Sequence, residues 1–166
     1  MRTYFLDTET TGLRPPEDKL VEIAIIDETG NSVLNTLIDP GRPIGFATSI
    51  HGISDDMVSG APSLETVWPR VQGLLSGQHV VIYNAAFDRA FFPDQLGCAA
   101  QVSCAMLQFA RIYGERSSRY GSYRWQKLTH AAAHIGYRWE GQAHRALADA
   151  KAARAVWRWM GARSAA

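Results

Sequence analysis

Five side chains stand where the surrounding pattern asks for something apolar or merely solvated. Asp7 and Glu9 lie in FLDTETTGL, Asp88 in YNAAFDRAF, and His144 with Asp149 in AHRALADA. RTYFLDTE alternates, so Phe5, Asp7 and Glu9 share one strand face, with Tyr4 and Leu6 on the other. The two carboxylates have roots roughly 6–7 Å apart and can converge on one ion. Around a helix, Ala153, Val156, Trp157 and Met160 fall within roughly 100° of one another, with Asp149 near the middle of that stripe. Lys151, Arg154 and Arg158 cluster opposite, so Asp149 is aimed at the interior or a cleft. Bland readings exist for each residue: hydrogen bonding for an inward Asp, solvation for a strand-end pair, and a helix dipole for Asp88.

Gathered together, such carboxylates would repel by roughly 4 kcal/mol per pair at about 4 Å and an effective dielectric near 20. Divalent cations relieve that repulsion, and oxygen-only donors select Mg²⁺ or Mn²⁺ over zinc. His144 precedes Asp149 by five residues, about 140° apart on a regular helix. The two serve one site only if His144 lies in the turn before the helix, which Gly141 allows. An unperturbed imidazole, pKa about 6.5, suits a general base acting on water. The chemistry open to this set is phosphodiester hydrolysis assisted by divalent metal.

The elements that must position these groups follow from patterning. KLVEIAIIDE reads as a buried central strand, and the GN turn at 30–31 leads into SVLNTLID, giving a three-strand antiparallel meander. Within the long connection, TSIHGISDDMV predicts two short helical turns. SLETVWPRVQGLL is helical by spacing, with Pro69 expected to kink it or delay its start. HVVIY is a buried strand, NAAFDRAFF a turn into a helix, and QVSC a short strand before a helix through MLQFARIY. WQKLTHAAAHIG predicts a helix ending at Gly136, and the last helix is expected from Arg145 to Met160. This order implies an α/β domain with a mixed sheet, expected to be single over 1–166.

Composition narrows the class. Apolar residues make up 46% and charged residues 20% of 166, as in ordinary globular proteins. No apolar run nears ~18 residues and no secretory leader is visible, so no membrane association and a cytoplasmic location are expected. Cys98 and Cys104 exclude a disulfide framework and read as free thiols. A net charge of +1 excludes coating nucleic acid by charge alone; any such binding must be local and metal-assisted.

With those residues in hand, the chain resembles the DEDDh branch of the DnaQ-like 3′–5′ exonucleases over about residues 4 to 160. DTETTGL matches the first family motif, IHGI the segment before the first long helix, NAAFD the second motif and HRALADA the third. NAAFDRAFFP and Cys104-Ala105-Met106 look most like the exonuclease X branch. The resemblance implies a ribonuclease H-like five-stranded mixed sheet flanked by helices. It implies that Asp7, Glu9, Asp88 and Asp149 hold two Mg²⁺ or Mn²⁺ ions, with His144 taking the proton of the attacking water. It also implies that Thr11, Gly12 and Leu13 grip the terminal nucleotide, His51 and Phe87 line its base and sugar pocket, and Asn84 braces the second motif.

The expected partners are 3′ ends of single-stranded nucleic acid, with DNA favoured over RNA. The alternatives are an RNA-trimming member, oligoribonuclease-like or tRNA end-processing, and an inactive nucleic-acid-binding or polymerase-docking module. All five functional groups are present, which argues against the inactive module. CAAQVSC at 98–104 lacks the Asp-Thr pair common at the fourth strand of the family. Without a long tail after the last helix, a stand-alone enzyme is expected and polymerase association is not indicated. A homodimer stays open.

Three weaker signals remain. RIYGERSSRYGSYRWQK interleaves Arg111, Arg116, Arg119, Arg124 and Lys127 with aromatic residues, which suits single-stranded nucleic acid or a solvated loop. His130 and His134 have zinc-compatible spacing but lack acidic or thiol partners nearby in sequence. Glu22, inside an apolar strand, is expected to support the carboxylate cluster indirectly.

Overall fold

The computed structural model describes residues 1–117 and 122–164. Arg119 and Tyr120 of the basic, aromatic stretch lie outside the described residues. Five strands, β1 (Thr3–Thr10), β2 (Leu20–Asp27), β3 (Ser32–Leu37), β4 (His79–Ile82) and β5 (Gln101–Cys104), form one sheet in the order β3-β2-β1-β4-β5. The β1–β2 and β2–β3 pairs are antiparallel; β1–β4 and β4–β5 are parallel. The expected meander and mixed sheet are therefore present. At the β2–β3 turn Asp27 Oδ1 accepts the backbone N–H groups of Thr29, Gly30 and Asn31, each at 2.9 Å. Gly30 takes the positive φ of 98° that this turn needs.

Seven α-helices complete the described fold: α1 (Thr48–His51), α2 (Asp55–Val58), α3 (Leu64–Leu75), α4 (Ala85–Arg89), α5 (Ala105–Tyr113), α6 (Leu128–His134) and α7 (Ala146–Ser164). Residues Leu20 to Ile26 of β2 are all buried, because both sheet faces are covered. On one face Leu6, Ile23, Ile25 and Val80 pack against Val67, Val71 and Leu75 of α3. On the other, Phe5, Ile26 and Val81 meet Phe109 of α5, Ala131 of α6, and Ala150, Ala153 and Val156 of α7. Small residues on the buried side of α7 let it lie close against β1 and β2.

Three boundaries differ from the sequence reading. Pro69 does not delay α3, which begins at Leu64, where Ser63 Oγ accepts the Thr66 N–H at 3.4 Å. The helix expected from Trp125 starts at Leu128, because Gln126 is tied elsewhere: its carbonyl accepts the Tyr83 hydroxyl at 2.9 Å. α7 continues to Ser164, four residues past Met160.

Two features of this frame build the site. β1 lies at the centre of the sheet, and β1 and β4 run parallel, so their C-terminal ends open at one edge. α4 follows β4 there, and the residues leading into α7 arrive beside them.

Candidate active site

Asp7 and Glu9 project from the C-terminal half of β1, ahead of an irregularity in register between Glu9 and Thr10. Asp88, on α4, is 5% exposed, and its Oδ1 accepts the Thr8 hydroxyl at 2.7 Å. Asp149 lies in the first turn of α7. His144 stands in the turn before that helix, at φ 63°, and its backbone N–H donates to Asp149 Oδ1 at 3.1 Å. Carboxylate oxygens of Asp7, Glu9 and Asp149 all come within 4.8 Å of one another. Asp7, Glu9, Asp88, His144 and Asp149 line one cleft of about 530 Å³. Tyr83, Asn84, Phe87 and the stretch Trp125 to Thr129 line it as well.

The protein alone does not compensate this charge. Burial, then the charges of Asp88, Asp149, Glu9 and Glu22, holds the Asp7 carboxyl well above the usual carboxylate range. Burial and Asp149 push Glu9 up to about 8. Burial raises Asp88 to about 7 against the opposing pull of the Thr8 hydrogen bond. Burial raises Asp149 to about 6, again opposed by the His144 N–H. A cluster of oxygen donors whose ionisation is opposed by burial and by one another fits a hard divalent cation.

Glu22 stands opposite Glu9 in the β1–β2 register but has a different fate. It is 3% exposed and accepts Arg145 Nε at 3.1 Å, an Arg145 terminal nitrogen at 2.7 Å and the Ala146 N–H at 2.9 Å. One carboxylate thus caps α7 and pins the residue after His144. The indirect support expected of Glu22 takes this form. A carboxylate inside an apolar strand signalled it, whereas nothing in the sequence pointed to Arg145 as the partner.

The turn after β1 is shaped by Asp18. Its carboxylate accepts the Thr11 hydroxyl at 3.2 Å and the Arg14 N–H at 2.9 Å, and these bonds hold it below its ordinary range. A Cβ at Gly12 would sit 2.4 Å from that carboxylate, so any other residue would force Asp18 out of this arrangement. Leu13 is left 78% exposed beside it.

His51 is 2% exposed. Its Nδ1 accepts the Ile53 N–H at 3.0 Å, which leaves Nε2 to donate to the Thr10 carbonyl at 3.3 Å. The neutral ring thereby braces the end of β1; burial lowers its pKa. Thr11, Gly12, Leu13 and His51 lie outside the lining of the cleft, whereas Asn84 and Phe87 are part of it. Asn84 braces α4 through its carbonyl, which accepts the Phe87 and Asp88 N–H groups at 3.0 and 3.3 Å.

The remaining candidates resolve simply. His130 and His134 pack edge-on against Tyr113, at interplanar angles of 89° and 82°, as parts of an aromatic cluster. Arg124 pairs with Glu115 at 2.9 Å, so its charge is already engaged. Cys98 and Cys104 are free thiols. No helix among the described residues is long and apolar enough to cross a membrane. No sequence signal marks Thr8 as a site residue, and for residues 125–129 the one signal is the basic, aromatic character of the stretch up to Lys127.

The RNase T family model, described as exonuclease, matches residues 4–157. The chain belongs to this DnaQ-like exonuclease family. A second exonuclease, the uncharacterized exonuclease CP81 of Escherichia phage 186, is 41% identical over 160 residues, spanning 89% of this chain and 81% of that protein. Exodeoxyribonuclease 10 of Escherichia coli K12 is 34% identical over 128 residues; the match covers 74% of this chain and 54% of that one. Among solved structures, exonuclease X in complex with 5′ overhanging duplex DNA superposes with a TM-score of 0.78 at 26% identity, over 99% of this chain and 93% of that chain. E. coli exonuclease I in complex with a dA16 oligonucleotide shares the fold, with a TM-score of 0.79 at 18% identity over 98% of this chain and 41% of that one. The family resemblance and the ribonuclease H-like fold it implied are both borne out.

Proposed function

We propose that this exonuclease is a DEDDh enzyme that removes nucleotides from the 3′ ends of single-stranded or frayed DNA and releases nucleoside 5′-monophosphates. The observation that carries the reading is the convergence of Asp7, Glu9, Asp88, His144 and Asp149, from three distant segments, on one cleft. In this reading Asp7, Glu9, Asp88 and Asp149 hold two Mg²⁺ or Mn²⁺ ions. Bound there, divalent cations supply the positive charge that activates the attacking water and stabilises the leaving oxygen.

The chain's own groups do the rest. His144, exposed at the cleft mouth, takes the proton of that water on an imidazole nitrogen. Thr8 keeps the Asp88 carboxylate oriented by its hydroxyl. Leu13 offers an exposed apolar surface to the terminal base, with the backbone of Thr11 and Gly12 beside it and Phe87 in the cleft lining. His51 supports that turn from beneath through the Thr10 carbonyl. Preference for DNA is supported by the names of two relatives, one an exodeoxyribonuclease and one solved with 5′ overhanging duplex DNA.

The test is product analysis on labelled single-stranded DNA, duplex DNA and short RNA with Mg²⁺ or Mn²⁺, with Asp7→Ala as control. Stepwise shortening from the 3′ end with 5′-monophosphate products is expected, fastest on single-stranded DNA. Faster consumption of RNA would overturn the DNA preference, and internal cleavage or 3′-monophosphate products would overturn the reading itself.

A further inference from the structure

We propose that Trp125 and Lys127 form a subsite for the single-stranded segment leading into the cleft, Trp125 stacking an unpaired base and Lys127 meeting a backbone phosphate. The proposal rests on the exonuclease reading above.

The chain is non-helical up to Leu128, with Lys127 extended at φ −65° and ψ 152°. Two contacts fix Gln126 between them. Its carbonyl accepts the Tyr83 hydroxyl at 2.9 Å, and its amide donates to Glu115 Oε2 at 2.9 Å. Glu115 Oε1 holds Arg124 at the same distance, 2.9 Å, so one carboxylate staples both neighbours of Trp125. The rim is anchored, while the two side chains on either side of Gln126 remain uncommitted. Trp125 is 65% exposed. Lys127 makes no ion pair among the described residues.

Both residues line the same cleft as the four carboxylates. Trp125 also borders a second hollow of about 270 Å³, shared with Leu107, Arg111 and Tyr123. The cleft and this hollow therefore adjoin at Trp125, beside α5. A strand following that path leaves the acidic cluster, where any phosphate not facing a metal ion is repelled, and meets Lys127 and then Arg111. An indole tolerates any base but needs its face unpaired, so this subsite selects for single-stranded character rather than sequence.

The test uses the whole protein, Trp125→Ala and Lys127→Ala. Binding is read by anisotropy of fluorescein-labelled oligo-dT with Ca²⁺ in place of Mg²⁺. Turnover is read on oligo-dT and on the p-nitrophenyl ester of thymidine 5′-monophosphate with Mn²⁺. Trp125→Ala should weaken oligo-dT binding about 5- to 100-fold. The ratio of kcat/KM for oligo-dT to that for the one-nucleotide ester should fall in step. Lys127→Ala should flatten the dependence of log Kd on log salt by about 0.7, the loss of one phosphate contact.

Wild-type affinity in Trp125→Ala together with an unchanged salt slope in Lys127→Ala would overturn the subsite, even if both substrates are hydrolysed. A wild-type protein that binds oligo-dT through Trp125 but hydrolyses neither substrate would leave the subsite standing and refute the exonuclease reading instead.

Discussion

The main-chain N–H of His144 donates to Asp149 Oδ1 at 3.1 Å, across a gap of five positions. The bond uses no side-chain atom of His144, so replacing the imidazole leaves the tie to Asp149 in place. It also requires the turn to hold His144 at φ 63°, which β-carbon-bearing residues other than Asn, Asp and His rarely adopt.

His144→Asn should therefore keep the wild-type melting temperature while kcat falls by about 10²- to 10⁴-fold, the range for loss of a general base. His144→Ala should lose as much rate and also some stability, because alanine fits that φ less well. Retention of more than about a tenth of kcat in His144→Asn would remove the general-base assignment.

Asp7→Asn should abolish hydrolysis yet raise the melting temperature in chelator-containing buffer at pH 8. Asp7 titrates above its ordinary range in the folded state because of burial and its carboxylate neighbours. Its ionised form therefore opposes folding above the unfolded pKa. A fall in ion-free melting temperature would mean that this carboxylate supports the fold instead.

The same sign applies to Glu9, Asp88 and Asp149, raised to about 8, about 7 and about 6. Each contributes stability that is complete below its unfolded pKa and is lost as pH climbs through the folded value. Ion-free protein should lose stability between pH 5 and 8.5. Mn²⁺ should restore it, and by more at pH 8 than at pH 5.5, since protons compete with metal for these oxygens. Thermal scans over a grid of pH and Mn²⁺ concentration read this directly; a metal-induced shift independent of pH would contradict it.

Thr8→Val removes the hydroxyl that Asp88 Oδ1 accepts at 2.7 Å. Leaving that buried acceptor unsatisfied should cost about 1–3 kcal/mol of stability. Without the bond the Asp88 pKa rises further, so the pH–rate profile at fixed Mn²⁺ should move to higher pH. An unmoved profile would show that the hydroxyl does not tune Asp88.

Glu22 and Arg145 should differ in what their loss costs. Arg145→Ala leaves a carboxylate whose side chain is 4% exposed with the Ala146 N–H as its remaining donor among the described residues; a loss near 3 kcal/mol is expected, at about the low end for a broken buried pair. Glu22→Gln strands a guanidinium whose side chain is already 35% exposed and can turn to water. Urea titration should rank Arg145→Ala as the less stable variant, and the reverse order would place the cost elsewhere.

What could be read in advance was whatever depended on local periodicity. The β1–β3 meander, the inward Asp149 and the turn around His144 all follow from residue spacing within a few positions. The partners that hold the site do not. Glu22 meets Arg145 across 123 residues and Thr8 meets Asp88 across 80, distances at which a single sequence carries no register. Trp125 shows the same limit. Its spacing fits a helix, but the Tyr83 hydroxyl and Glu115 hold Gln126 outside the helix.

The central seat of β1, bonded to β2 on one side and β4 on the other, has a dynamic consequence. Fraying that starts at the outer strands β3 or β5 leaves Thr3 to Leu6, paired with both β2 and β4, in register, so the amides of that segment should be among the slowest in the protein to exchange with deuterium. Asp7 and Glu9 follow directly on that segment, so local opening should reach them only after it has passed the edges of the sheet.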